Sequence, residues 1–164
     1  MSVEITSRLP AGADLVWVRA VTPEGINDEL RPILRMTMPD GLGEATIDDV
    51  ETGVTLGRSW ILLGGILPVD YDDLCLEEID RPANLKGSDP FRFRERSRTA
   101  SFAVWGHERI VAPAGEGMCT ITDRLPWEPK PLLARLPGAD RVATAIVGFL
   151  FRHRHRRLRR YWCS

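Results

Sequence analysis

His107 and Asp123 form the one arrangement in the sequence that could carry out acid–base chemistry. The turn Ala114-Gly-Glu-Gly117 would join the strands on either side of it and bring the two side chains close together. If their face of the sheet lines a cavity, an imidazole beside a carboxylate could orient a polar ligand group or transfer a proton. The alternative is a polar pair across two strands on a solvent-facing surface, and the pattern alone favours this second interpretation.

Other residues that could bind a metal or a cofactor are not spaced for that purpose. His153 and His155 are two positions apart, so on a helix they point in different directions and cannot share one ion. Asp70, Asp72 and Asp73 lack the glycine and the terminal glutamate of a calcium loop. The chain also has no C-x-x-C, no G-x-S-x-G and no complete dinucleotide fingerprint. We therefore expect neither a metal ion nor a cofactor.

Arginine is concentrated at the C-terminal end of the chain, where no acidic residue accompanies it. On a helix, four of these side chains fall on one broad side and form a predicted basic surface: Arg152, Arg156, Arg159 and Arg160. Positive charge at a helix C-terminus interacts favourably with the helix dipole. The arginines beyond those that the dipole explains are expected to pair with acidic residues of the same molecule or of a second copy in a homodimer. Contact with an anionic membrane surface ranks second. Nucleic acid is the least favoured partner, because a single helix end is a small footprint for a duplex.

The composition is that of an ordinary globular protein. Of 164 residues, 43% are hydrophobic and 27% are charged, and the net charge is −1, which argues against a disordered or membrane-embedded chain. This length predicts one domain over residues 1–164. No apolar stretch is long enough for a spanning helix, and no signal-peptide pattern opens the chain. Because the three cysteines (Cys75, Cys119 and Cys163) also lie far apart, we expect a cytoplasmic protein.

The elements that must position these residues begin with a strand over residues 3–9, where apolar and polar side chains alternate. Two short helices follow, and the second begins at Thr22-Pro23-Glu24 with an N-cap residue, a proline and an acidic first turn. It should end near Arg31-Pro32. From residue 56 onward strand follows strand, and Arg58–Leu67 is expected to be one strand that is apolar on both faces, with a bend at Gly64-Gly65.

The remaining segments complete an α+β pattern. A short strand is expected over residues 34–38, and residues 40–55 are expected to be mostly loop because they are rich in Gly, Asp and Glu. An apolar stripe at three- and four-residue spacing predicts a long helix over residues 132–162, which Pro137-Gly138 could interrupt. Antiparallel strands beside segregated helices are typical of the α+β class.

Several segments, together with this order of elements, resemble the START/SRPBCC superfamily, whose helix-grip fold also occurs in the major birch-pollen allergen and in polyketide cyclases. The segments are Leu56-Gly-Arg-Ser-Trp60, Leu67-Pro-Val-Asp70, Phe93-Arg-Glu-Arg-Ser97, Trp105-Gly-His-Glu-Arg109, Thr122-Asp-Arg124 with Pro129, and Phe151-Arg-His-Arg-His155. The resemblance covers nearly the whole chain and extends to bacterial ligand-binding members. It implies a curved antiparallel sheet of about six or seven strands around the long C-terminal helix, with an apolar cavity between them.

Within that fold, nine side chains are expected to line the cavity: Trp60, Leu62, Phe93, Trp105, His107, Ile121, Asp123, Ile146 and Phe149. The preferred function is non-catalytic binding, and thereby transport or sequestration, of a hydrophobic small molecule such as a lipid or a polyketide-like compound. One alternative is an aromatase/cyclase-like or hydrolase-like enzyme that uses His107 and Asp123. A second alternative is an interaction protein that docks through its arginine-rich helix end. The sequence leaves open whether large side chains, including five tryptophans, fill the cavity.

Overall fold

A computed structural model describes residues 1–39, 46–83 and 88–163. Within these residues, seven antiparallel strands form one sheet in the order β1-β7-β6-β5-β4-β3-β2. The strands are β1 Ser2–Leu9, β2 Leu34–Met36, β3 Thr55–Leu63, β4 Leu67–Asp80, β5 Phe91–Thr99, β6 Phe102–Pro113 and β7 Cys119–Pro129. Apart from β1, neighbouring strands in the sheet are consecutive in the chain, so short turns connect most of them. The first strand instead crosses to the far edge and pairs with β7.

Helices cover one face of this sheet. Two short helices, α1 Ala13–Ala20 and α2 Pro23–Leu30, follow β1, and two more end the chain: α3 Pro131–Ala134 and α4 Ala139–Trp162. Thr22 caps α2 as its sequence predicts, because its hydroxyl oxygen accepts a hydrogen bond from the Gly25 backbone N–H at 3.0 Å. The long helix α4 lies against β1 and α2. The α+β helix-grip fold expected from the sequence is therefore confirmed.

The apolar core occupies only part of the space between the sheet and the helices. One cluster surrounds Trp17 of α1, whose ring stacks on Phe91 at 5.3 Å. A second cluster joins Leu125 and Trp127 of β7 to Val147 and Phe151 of α4. The first cluster also includes Leu76 of β4 and Phe93 of β5, and together the two clusters fill one part of the interior with large side chains.

Two details of the elements differ from the sequence expectation. Arg58–Leu67 is not one strand: Gly64 and Gly65 form the turn of a hairpin between β3 and β4, with φ angles of 61° and 79° that favour glycine. Nor is the segment buried on both faces, since Trp60 and Leu67 are exposed. By contrast, the interruption of the C-terminal helix that Pro137-Gly138 suggested is confirmed, because Gly138 adopts φ 80° between α3 and α4.

The segment expected to be mostly loop lies partly outside the described residues, because 40–45 are not among them. The rest contains one turn of 3₁₀ helix at Ile47–Asp49. Among the described residues, no helix combines the length and hydrophobicity that a membrane crossing requires.

Candidate functional site

A cleft of about 1,010 Å³ lies between the sheet and α4. Strands β2 to β6 form one wall, α4 forms the opposite wall, and α2 and α3 contribute side chains at the edges. Most of the lining is apolar, and its larger members include Met36, Ile61, Phe102, Trp105, Ile146 and Phe151. The cleft exists because the curved sheet and the straight helix diverge on the side away from the packed core.

The outer part of the cleft exposes apolar side chains to solvent. Five of them, each between 46% and 59% exposed, come from the β3–β4 hairpin, the loop after α3 and the first half of α4: Leu63, Val69, Leu136, Val142 and Ile146. By contrast, buried residues recur through the second half of α4, from Val147 to Leu158. The cleft therefore has an open apolar mouth and a closed inner end.

Four polar side chains line the inner end: Asp72 of β4, Glu95 of β5, His107 of β6 and Arg154 of α4. Each is at most 7% exposed, although each could ionise. The strand residues reach this position because they alternate with outward-facing neighbours, and Glu95 and His107 are directly opposite each other in the β5–β6 register.

His107 is held by a buried carboxylate. Its Nε2 lies 2.9 Å from Asp123 Oδ1, and its ring contacts the rings of Phe93 and Phe151 edge-on, with centroids 5.1 and 5.2 Å apart. Burial lowers the pKa of His107 below its ordinary value, although the hydrogen bond with Asp123 opposes this shift. The imidazole is therefore neutral near pH 7 and donates its Nε2–H to Asp123. Its other nitrogen, Nδ1, is 3.9 Å from Glu95 Oε2, which is too long for a hydrogen bond.

Behind His107 lies a buried ion cluster of two carboxylates and two guanidinium groups: Glu29, Asp123, Arg109 and Arg154. Arg109 donates two hydrogen bonds to Asp123, at 2.7 and 2.8 Å. It donates two more to Glu29, both at 2.9 Å. Arg154 also donates to Glu29. His155 adds a hydrogen bond from Nε2 to Asp123 Oδ2 at 3.0 Å. Burial alone would raise the pKa of Asp123, but Arg109 holds it well below its usual range. The cluster is balanced in charge, which reduces the cost of burying it.

Asp72 and Glu95 form a separate pair of buried carboxyl groups joined by a hydrogen bond. Ser97 donates its hydroxyl to Glu95 Oε1 at 2.8 Å. Burial raises the pKa of Asp72 to about 6, while burial and the charge of Asp72 together raise the pKa of Glu95 well above its ordinary value. Glu95 therefore holds its proton more tightly than Asp72 does, and as the protonated partner it donates to Asp72.

The structure places only some of the nine expected cavity residues at the cleft. Trp105, His107, Ile146 and Phe149 line it, and their neighbours on the same elements extend the wall. Trp60 and Leu62 do not line the cleft, because the alternate residues of β3, Ile61 and Leu63, face it instead. Trp60 packs edge-on against Tyr71 at 5.9 Å.

The other three residues are buried away from the cleft. Phe93 and Ile121 belong to the core cluster around Trp17, and Asp123 is fully buried behind His107. They were expected at the cavity because they share the inner face of the sheet with Trp105 and His107. That face is divided between a packed half and an open half, and strand alternation does not reveal the division.

Sequence reasoning missed Glu29, Asp72, Glu95, Arg154 and His155. Two signals were available for some of them. Glu95 has the same alternation as Phe91 and Phe93, so it had to share their buried face. Arg154 and His155 lie at helical spacing between the buried Phe151 and Leu158. Charged residues in apolar positions are the usual sign of a buried polar network.

All four side chains of the predicted basic surface are exposed to solvent: Arg152, Arg156, Arg159 and Arg160. Part of this end pairs with the body of the molecule, since Arg159 donates to Ser7 at 3.0 Å and the neighbouring Arg157 donates to Asp28 at 2.7 Å. Within the described ranges, no group of His, Cys, Asp and Glu side chains is arranged to hold a metal ion.

Comparison with solved structures shows the same fold over almost the whole chain. A protein from Chromobacterium violaceum superposes with a TM-score of 0.63 at 12% identity, covering 98% of this chain and 96% of the other. A START superfamily protein from Mycobacterium smegmatis gives 0.55 at 14% identity, with the same coverage. Norcoclaurine synthase from Thalictrum flavum, in complex with dopamine and hydroxybenzaldehyde, gives 0.51 at 11% identity, covering 95% of this chain and 84% of the enzyme.

These likenesses establish the START-type helix-grip fold and, at such low identity, the fold alone. No curated protein matches the chain. A family model described as "Domain of unknown function (DUF8410)" matches residues 7–162. The chain therefore belongs to the DUF8410 family and has the fold of the START superfamily.

Proposed function

We propose that this protein binds a hydrophobic small molecule, such as a lipid or a polyketide-like compound, in the cleft between the sheet and α4. The single observation that carries the proposal is the cleft itself, with its apolar lining and its polar inner end. Its volume of about 1,010 Å³ is close to the upper end of the range for small-molecule sites, roughly 300–1,000 Å³.

The composition of the lining supports this function. Apolar side chains along the walls favour a hydrophobic ligand body, and the few polar groups at the inner end can fix its orientation. The exposed apolar mouth also favours a ligand, because solvent-exposed apolar patches commonly mark binding surfaces. The norcoclaurine synthase complex shows that another protein of this fold holds small aromatic molecules.

The test uses one variant that fills the cleft and one that does not. Ala143 lines the cleft, whereas its neighbour Thr144 is exposed and does not. The neutral dye N-phenyl-1-naphthylamine should bind the unmodified protein saturably with increased fluorescence. Ala143→Trp should weaken binding by about tenfold or more, and Thr144→Trp should leave it unchanged. Absence of saturable binding to the unmodified protein, or equal binding by the two variants, would refute the proposal.

A second candidate function is catalysis on the bound molecule, with His107 as the proton acceptor. The observation that favours it is the buried His107–Asp123 pair at 2.9 Å, with His107 on the cleft wall. Because Nε2 is engaged by Asp123, Nδ1 is the atom that would accept a proton from the ligand. Compounds that displace the dye are incubated with protein and assayed by mass spectrometry. Turnover that His107→Gln abolishes without loss of binding supports catalysis, whereas unchanged compounds support binding alone.

A further inference from the structure

Among the described residues, neither carboxyl group at the inner end of the cleft forms an ion pair with an arginine or lysine, although the charge of Arg154 slightly opposes the rise in the pKa of Glu95. Asp72 and Glu95 are 4% and 7% exposed, and a hydrogen bond joins them across neighbouring strands. Two carboxyl groups in contact share a proton, so the pair carries about one negative charge near pH 7. An isolated charge in an apolar site is costly unless a partner compensates it.

The nearest basic groups already have partners. Arg154 is the cation that lines the cleft, but its Nε and Nη2 lie 3.0 and 2.8 Å from Glu29 in the buried ion cluster. That cluster has equal numbers of positive and negative groups, so it has no surplus positive charge for Asp72. His107 is neutral near pH 7 and donates to Asp123.

Two further charged groups that act on Asp72 come from its own strand and are also acidic. Asp70 and Asp73 both raise its pKa through charge repulsion. Asp73 is paired with Arg58 at 2.8 Å, away from the cleft. The charge of Asp72 therefore has no counterion among these neighbours.

Asp72 also has an unsatisfied acceptor. Its side chain lines the cleft, and apart from the proton that it shares with Glu95, its Oδ1 receives no hydrogen bond from any N–H or hydroxyl group within the part of the chain that the structure describes. A buried acceptor without a donor is destabilising, so native proteins seldom keep one unless a ligand or an ordered water supplies the donor.

From these observations we infer that the inner end of the cleft receives a protonated amine, carried by a ligand whose apolar body lies along the cleft. The inference rests on the proposed function and specifies the class of ligand. The amine donates to Asp72 Oδ1 and supplies the missing positive charge. Aromatic rings that line the cleft favour a cation as well: Trp105 stacks on Phe102 at 5.6 Å and lies 6.3 Å from Phe151 on the opposite wall.

The experiment compares three probes with one apolar body and different head groups: decylamine, decanol and decanoate. Each is measured by displacement of N-phenyl-1-naphthylamine at pH 7.5. Decylamine should bind about tenfold more tightly than decanol, because a charge-assisted hydrogen bond replaces an unsatisfied acceptor. Decanoate should bind most weakly.

Variants assign the preference to one side chain. Asp72→Asn should reduce the advantage of decylamine over decanol to about twofold or less, with decanol binding unchanged. Asp73→Asn is the matched control on the same strand and should behave like the unmodified protein. Glu95→Gln should keep the preference, since Glu95 is already neutral. Lowering the pH from 7.5 to 5.0 should weaken decylamine about tenfold and leave decanol unaffected, so the test remains valid if Asp72→Asn does not fold.

The outcomes separate this inference from the proposed function. If the dye does not bind at all, the proposed function fails. If the dye and decanol bind but decylamine has no advantage, the proposed function stands and the amine site is refuted. Tighter binding of decanoate than of decanol would also refute the amine site, because it would identify Arg154 as the partner of the head group.

Discussion

Glu29 and Arg109 are 80 positions apart in the chain and form a two-pronged ion pair in the protein interior. Both oxygens of Glu29 accept from the terminal nitrogens of Arg109 at 2.9 Å, and both side chains are at most 3% exposed. This pair links α2 to β6, and Arg154 extends the link to α4. The same network that supports the inner end of the cleft therefore joins the helices to the sheet.

Loss of the Glu29 charge should strongly destabilise the fold. Glu29→Gln leaves Arg109 and Arg154 buried with only Asp123 to balance them, which should lower the free energy of unfolding by about 3–5 kcal/mol. The adjacent Asp28→Asn is the control, because Asp28 pairs with Arg19 and Arg157 near the surface. It should cost about 1 kcal/mol or less. Urea denaturation measures the free energy of unfolding of each variant. If Glu29→Gln and Asp28→Asn lost similar amounts of stability, the buried ion cluster would not have the stabilising role described above.

Asp72 should make stability decrease as the pH rises from about 4 to about 6. In the folded protein the pKa of Asp72 is about 6, compared with 3.8 in an unfolded chain. Between these values the folded state keeps a proton that the unfolded state releases, so the free energy of unfolding falls with rising pH. Asp72→Asn should remove the part of this decrease that Asp72 contributes, and so gain up to about 3 kcal/mol relative to the unmodified protein by pH 7, whereas buried Glu95 keeps a decrease of its own.

The measurement is the difference in unfolding free energy between the two proteins at pH 4, 5, 6 and 7. Taking the difference cancels the contributions of Glu29 and Asp123, whose pKa values are lowered and whose effect has the opposite sign. A difference that stays constant from pH 4 to pH 7 would show that Asp72 has an ordinary pKa.

His107 should become protonated at a lower pH than an exposed histidine does. Burial lowers the pKa of its imidazole, whereas an exposed histidine is mostly protonated at pH 6. Nitrogen NMR shifts of the ring at pH 7 should show one protonated nitrogen, Nε2, and one bare nitrogen, Nδ1. Assignment uses His107→Gln, which removes the signal. A doubly protonated ring at pH 7 would overturn both the neutral state and the charge balance derived for the inner end of the cleft.

Two helical glycines should respond oppositely to alanine. A Cβ at Gly25 would lie 2.0 Å from the Arg19 carbonyl oxygen, so Gly25→Ala must displace backbone and should cost about 1–3 kcal/mol. At Gly148 the nearest atoms belong to the guanidinium group of Arg152, at 3.0 Å, which ends a flexible side chain and can move. Gly148→Ala should therefore gain up to about 1 kcal/mol from helix propensity. Thermal unfolding of both variants measures the two effects. If Gly148→Ala also lowered the melting temperature, the prediction for Gly148 would be wrong.

Local sequence patterns were sufficient to predict the order of elements. Alternation defined β1, and Thr22 with Pro23 marked the start of α2, because capping and strand alternation depend on residues close in sequence. The same alternation correctly placed Trp105 and His107 on one face of β6. It could not predict which side chains of β3 face the cleft. A register shift of one residue moves every side chain of a strand to the opposite face, so that Ile61 and not Trp60 lines the cleft.

The polar part of the site depends on contacts between distant residues. Glu29 meets Arg109 only because α2 is packed against α4, β2 and α1 in the folded chain, and no local pattern in either segment encodes that meeting. His107 and Asp123 were paired correctly because a short turn connects their strands. Asp72 and Glu95 lie on strands joined by a long connection, residues 81–90, and a connection of that length does not fix a register as a short turn does.

The open mouth of the cleft has a thermodynamic consequence. Leu136, Val142 and Ile146 are more than half exposed, so their hydrophobic surface contributes little to folding of the free chain. Each 100 Å² of apolar surface that remains in water leaves about 2.5 kcal/mol of stabilisation unrealised. A molecule seated in the cleft covers this surface and completes the core from outside the chain. Melting temperature should therefore rise with the concentration of any bound compound, and the first half of α4 should gain the most protection from hydrogen exchange.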